Sequence, residues 1–284
     1  MKSLLTLSFM LIVLFFPERS SSAAQQALQV WGLDVVPSLF PYMVLCQSLS
    51  VQLIHHPNIL SFAAPVMGLF GGSPSGSAVL YEVYKEKNVS AKRLLCLCTL
   101  TGTISPMFFL GPVSVWFGSS SIGRELLLSH LEGTLLTCAV ICFIPMLGNS
   151  LQQPQLPAVH SNRSLIQRGI DSALNVGGCI IFFSVAASAL RSVLPFLDAP
   201  AQAILHCLLE ISGGTKALSQ CTLSRERLLI IAAGVTGFGG FSVLAQNYVY
   251  LRAFGIKMVH LVPLGLLRAL FCMLFIGVTL AAGA

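Results

Sequence analysis

The sequence predicts an all-α polytopic membrane protein. Its expected plan is two inverted repeats, each with a re-entrant hairpin and a broken (unwound) transmembrane helix, preceded by an N-terminal anchor helix. Three observations lead there. The 284 residues are 55% hydrophobic and only 9% charged, whereas a soluble domain is about a quarter charged, and the mean hydropathy is +0.83. Too few polar residues remain to cover a soluble surface. Eight apolar elements follow the N-terminus and are split four and four by one polar linker. Finally, the two middle elements of each half are interrupted by stretches rich in Gly, Ser and Thr.

Taken in order, segment 1–23 opens with Lys2 and the thirteen-residue apolar run LLTLSFMLIVLFF. This resembles a signal sequence, and Ser20 to Ala24 would suit signal-peptidase cleavage. A retained anchor is favoured because Pro17 and Glu18 lead directly into more apolar sequence. Repeat 1 spans 24–148, with elements at 24–53, 59–86, 91–117 and 125–147. A cytoplasmic linker at 149–163 precedes repeat 2 (164–284), with elements at 164–195, 201–220, 225–253 and 257–281.

The halves resemble one another, which fixes the architecture early. ALQVWG at Ala27 answers ALNVGG at Ala173, and the pair Gly71-Gly72 answers Gly213-Gly214. SAKRLLCLCTLTGTIS from Ser90 answers SRERLLIIAAGVTGFGG from Ser224, each with a Ser positioned as a helix N-cap. HLEGTLL at His130 answers HLVPLGLL at His260, and the four offsets are 146, 142, 134 and 130. The breaks are GGSPSG at Gly71, TGTISP at Thr101, SGGTK at Ser212 and TGFGGFS at Thr236. A broken helix leaves backbone N–H and C=O groups unpaired, at several kcal/mol each in hydrocarbon, so such breaks are expected to line a cavity near the midplane.

If the second element of each half returns to the face it entered, each half crosses three times and the next half is inverted. With the N-terminus cytoplasmic, nine Lys and Arg fall inside (Lys2, Lys85, Lys87, Lys92, Arg93, Arg163, Arg168, Arg252, Lys257) and five outside (Arg19, Arg124, Arg191, Arg225, Arg227). That agrees with the positive-inside tendency. The net charge of +6 is scattered rather than gathered into a face, which argues against a nucleic-acid partner. The nine cysteines form no CxxC pair and lie mostly in apolar runs, so they read as small buried side chains.

MGLFGGSPSGSAVLYEVYKEKNVSAKRLLCLCTLTGTISPMFFLG resembles the signature region of the YlbJ-type sporulation integral membrane proteins, within the nucleoside-recognition or Gate domain group. LLEISGGTKALS and GFGGFSVLAQ resemble that family's second-half signatures, and FFPE followed by VVPSLFPYMVL is similar to its N-terminal pattern. A more distant likeness is to concentrative nucleoside transporters. Their first hairpin tip carries Gly-Gln-Thr-Glu where this chain has GSPS, and their Gly-Phe-Ala-Asn-Phe unwound segment looks like Gly237-Phe238-Gly239-Gly240-Phe241. The likeness implies paired inverted repeats and places Glu210 near a hairpin Glu that helps hold ribose. The carboxamide and carboxylate of those transporters are absent at Ser73 to Ser75, a departure that bears on nucleoside specificity.

Candidate solute-binding residues follow from the breaks. Glu210 and Lys216 are ionisable side chains at an interrupted element, where charge is costly enough to suggest function. Lys216 is placed to neutralise Glu210 or to hold a carboxylate. Gly72, Ser73, Ser75, Thr101, Thr103, Ser105, Ser212, Thr215, Gly239 and Ser242 supply backbone or hydroxyl groups at the breaks, either to solute or as helix caps. Gln246 and Asn247 follow the last break on an apolar helix. His130 and His260, at matching repeat positions, read as interfacial, and no ligand set for a metal surrounds them. Arg268 lies well inside the last helix.

The function expected is transport of a small polar or anionic metabolite, nucleoside-like or sporulation-related, across a bacterial inner or sporulation-associated membrane. The alternating-access site would be built from the four breaks. No cofactor is expected, and a coupling ion (Na+ or H+) is unassigned. The partners are the solute and the lipid bilayer, with a homo-oligomer left open. The alternative is a non-transporting sensor or scaffold. An intramembrane serine hydrolase using Ser75 and His130 is disfavoured because Pro74 spoils the tight turn such a nucleophile needs.

Overall fold

The computed structural model describes residues 2–53, 57–84, 90–143 and 164–283. Every regular element among them is helical. Six stretches are long and apolar enough to cross a membrane: Pro17–Leu53, Ala91–Trp116, Ser120–Phe143, Ile166–Val193, Arg225–Phe254 and Met258–Gly283. Large apolar side chains such as Leu33, Phe143, Phe196, Val259 and Val278 lie on the outside, as a lipid-facing surface requires. The chain is a polytopic helical membrane protein.

The N-terminal helix α1 (Lys2–Phe15) stops at Phe16, because Pro17 begins α2 (Pro17–Gln29) and the residue before a proline is pushed out of helical conformation. A wide turn of π-helix over Val30–Val35 links α2 to α3 (Val36–Leu53). In both halves a long helix is followed by a pair of short ones. In the first half the pair is α4 (Pro57–Gly71) and α5 (Ser75–Tyr84); a broken helix follows, made of α6 (Ala91–Thr101), α7 (Pro106–Phe108) and α8 (Ser114–Trp116), and then α9 (Ser120–Phe143). The second half runs α10 (Leu165–Val193), the pair α11 (Ala199–Leu209) and α12 (Ile211–Ser219), the broken helix α13 (Arg225–Phe238) and α14 (Gly240–Leu251), and α15 (Met258–Gly283). The linker at 149–163 lies outside the described residues.

Local signals set these boundaries. Ser90 accepts from Arg93 N and Ser224 from Arg227 N, so both aligned serines cap their helices. Ser164 and Gln167 form a reciprocal capping box on α10. Asp198 caps α11 by accepting from Ala201 N. Gly239 and Gly240 take left-handed φ of 85° and 76°, which only glycine adopts without strain, and they separate α13 from α14.

Corresponding helices of the two halves pack on one another. α2 and α3 lie against α10, where the Trp31 indole covers Gly177 and donates to Ala173 O at 3.1 Å. Likewise α9 lies against α15. The short pairs are held by close backbone approach: a Cβ on Gly214 would run into the backbone of Cys207, and one on Gly76 into Gly68 and Thr101. Small residues allow such contact between apolar helices. Gly214→Ala is therefore expected to lower unfolding free energy by about 1–3 kcal/mol in detergent-micelle titrations, while Gly178→Ala, with no neighbour within 4 Å of the new methyl, costs nothing. Equal stability of the two variants would refute the close-packing account.

Candidate solute site at the meeting of four breaks

The four interruptions come together around one cavity of about 40 Å³. The α4–α5 turn contributes Gly72 and Ser73, the break after α6 contributes Ile104 and Ser105, and the α11–α12 turn contributes Glu210, Ile211 and Ser212. Ser242, the last residue of the fourth break, lines the cavity together with Val243 and Gln246 of α14. Val35, Leu39, Phe108, Val176 and Ile180 complete an otherwise apolar wall. The volume admits a few waters and no metabolite.

Glu210 is the charge at this cavity, and it is completely buried. It stands alone between α11 and α12 in extended conformation (φ −138°, ψ 116°). Its Oε1 accepts from Ser212 N at 2.7 Å and its Oε2 from Gly213 N at 2.6 Å. The carboxylate thus caps α12, where the first N–H groups of a helix favour negative charge. Ser73 Oγ donates to Asn247 Oδ1 at 2.9 Å and approaches Gln246 Oε1 at 3.4 Å, and Ser77 Oγ donates to the same Asn247 oxygen at 2.8 Å. Ser242 Oγ is buried at the cavity wall and has no partner among the described residues.

Each broken helix is also stitched to a neighbour. Ser73 N donates to Thr103 O at 3.1 Å, and Ser105 Oγ donates to Phe70 O at 2.8 Å, which joins the first hairpin turn to the second break. Ile104 N donates to His130 Nε2 at 3.2 Å, and Arg268 Nε donates to Gly237 O at 2.6 Å. In the aligned sequences Thr103-Ile104 and Gly237-Phe238 are the same peptide unit. One half satisfies its N–H from α9, and the other satisfies its C=O from α15.

Several sequence expectations need correction here. His130 is not interfacial but completely buried, and it serves the break. His260 differs, with its Nδ1 accepting from Lys257 N at 3.1 Å at an exposed helix start. Lys216 does not neutralise Glu210: its Nζ lies 2.9 Å from Asp34 Oδ2, and Trp116 Nε1 donates to that same oxygen at 3.1 Å. Sequence reasoning passed over Asp34, although an acid inside an apolar run, two residues past Gly32, was the available signal. Of the other candidates, Thr101 and Thr103 donate to the Leu97 and Leu100 carbonyls of α6. Ser75 and Thr215 are completely buried and do not line the cavity. Gly239 lies near the Arg268 guanidinium, and Asn247 also borders a second cavity of about 30 Å³ with Arg268. No group of three His, Cys, Asp or Glu side chains among the described residues is placed to hold a metal ion.

The Asn247 carboxamide ties the first hairpin to α14, so Asn247→Leu strands two buried hydroxyls. The expected loss is about 1–3 kcal/mol for each, read from unfolding titrations in mixed micelles. Adding Ser73→Ala and Ser77→Ala should recover most of it; a triple variant as unstable as Asn247→Leu would contradict this tie.

No known family's sequence profile matches the chain, and no solved structure matches it. The chain is similar to the sporulation integral membrane protein YlbJ of Bacillus subtilis (strain 168), with 26% identity over a 306-residue alignment that covers 86% of this chain and 74% of that protein. Together with the six apolar spans, this similarity supports an integral membrane protein of the YlbJ type.

Proposed function

We propose that the chain is a permease for a small polar or anionic metabolite, working by alternating access at the cavity where the four breaks meet. The observation that carries this reading is that four interruptions, distant in sequence, share one cavity holding a buried carboxylate, Glu210, and an unpartnered hydroxyl, Ser242. Such groups are costly in a membrane interior unless they serve something that enters. In this reading Glu210 accepts hydrogen bonds from solute or binds the coupling cation, while Ser73, Ser212, Ser242 and Gln246 orient the solute.

The short pairs α4–α5 and α11–α12 are read as re-entrant hairpins. Their members have 9 to 15 residues, or roughly 14–23 Å of helix, against the ~30 Å of a hydrocarbon core. With both hairpins returning to their own face, each half crosses three times and the halves are inverted. The packing of α9 on α15, and of α2 and α3 on α10, suits such a pseudo-twofold arrangement. The small cavity is then the shut state, and hairpin displacement opens it to one side or the other. The sporulation role in the relative's name makes a metabolite moved during spore formation the first class to screen.

Sealed vesicles with and without the protein, incubated in a cell extract and profiled by mass spectrometry, test the proposal. At least one small polar or anionic metabolite should equilibrate only where the protein is present. Uptake should fall at least tenfold in Glu210→Gln, with insertion and thermal stability retained. Identical metabolite profiles with and without the protein would reject it.

A further inference from the structure

A second recess lies between α2, α10, α11 and α12, with a volume of about 360 Å³, large enough for a metabolite. Its walls follow from helical spacing. Gly213, Lys216 and Ala217 of α12 and Gln220 at its C-cap line one side, and Ala23, Gln26, Ala27 and Val30 from α2 and its π turn line another, both sets at i, i+3, i+4 and i+7 spacing. Seven helical rises, from Gly213 to Gln220, make the α12 stripe about 10 Å long. It runs from the end of that helix inward to the hairpin turn that carries Glu210.

The lining contains no acid. The Lys216 charge is matched by Asp34. Arg191, from the last turn of α10, is partly buried and has no carboxylate partner among the described residues. A guanidinium carries five donors in a planar fork that suits carboxylate and phosphate oxygens. The carboxamides of Gln26, Gln29 and Gln220 add donors and acceptors on the walls, and Ser184 and His206 lie deeper, 3.4 Å apart. At the inner end stands Gly213: a Cβ there would lie 3.1 Å from both His206 Cε1 and Glu210 Oε2. The groove therefore ends directly beside the central carboxylate, separated by one residue without a side chain.

We propose that this groove is a binding site for a small polar solute carrying one anionic oxygen group, a carboxylate or a phosphate, with Arg191 holding that group and the glutamines holding the polar body. It goes beyond the central site in naming a second station and the charge of its ligand. Binding there does not require transport. Anionic lipid headgroups offer the same oxygens, but the polar stripe leads inward to Gly213, and only a free solute can follow it there.

The test is equilibrium binding to purified full-length protein in phosphatidylcholine nanodiscs, with radiolabelled lactate and inorganic phosphate as probes and lactamide as the neutral counterpart of lactate. Saturable binding of lactate or phosphate, with at least tenfold weaker binding of lactamide, is expected. Arg191→Gln should weaken anion binding at least tenfold, and Arg191→Lys less so. Binding is read at equilibrium and not as uptake, so this site can fail while transport stands, and the central-site reading fails independently if vesicle uptake survives Glu210→Gln. Absence of saturable anion binding, equal binding by Arg191→Gln, or Arg191-dependent stabilisation found only with phosphatidylglycerol in the discs would overturn the proposal.

Discussion

Backbone groups freed where a helix stops inside a membrane must find partners within the protein, and most of this structure answers that requirement. In hydrocarbon no water repairs the loss, so each unpaired N–H or C=O costs several kcal/mol. The Glu210 carboxylate takes two N–H groups at the start of α12. His130 takes the N–H of Ile104, and Arg268 supplies a donor to the carbonyl of Gly237. Each of these three buried ionisable side chains is paired with backbone at a break. The breaks in turn are what bring polar atoms to the middle of the bundle.

Other polar contacts tie the two halves to each other. The hairpin of the first half reaches α14 of the second through Ser73, Ser77 and Asn247. The hairpin of the second half reaches back through Lys216 to Asp34 and to the Trp116 ring, whose centroid lies 5.8 Å from the ammonium. Each hairpin therefore touches the continuation of the other half's broken helix, α14 in one case and α8 in the other. Both polar ties are a few side chains wide, set in apolar surroundings that contribute packing but little direction. Asn247 and the Asp34–Lys216 pair are thus the polar ties between each short helix pair and the other half.

The sequence made the positions of the breaks legible because glycine, serine, threonine and proline stand out within lipid-compatible runs, and matched offsets tied each break to a counterpart. It also marked Ser90 and Ser224 as caps from their place ahead of two aligned helices. Partner choice was much less legible. Lys216 sits six residues from Glu210, yet the short helix α12 turns it to the other side, toward an acid 182 positions away. His130 and His260 align, but one faces the Ile104 break and the other an exposed helix start, since alignment conveys spacing and not which face of a helix is buried. The groove containing Arg191 was invisible for a similar reason: its walls come from four helices, and none of its residues is unusual alone.

Accessibility of the cavity wall from the two sides of the membrane tests the central claim most directly. With the native cysteines replaced, Ser242→Cys can be probed in sealed vesicles of known orientation with a membrane-impermeant maleimide applied from outside or trapped inside. Alternating access at the meeting of the breaks predicts modification from both sides, slowed at least tenfold on both by a transported solute. Labelling from one side only, or from neither in a protein that still moves solute, would contradict it.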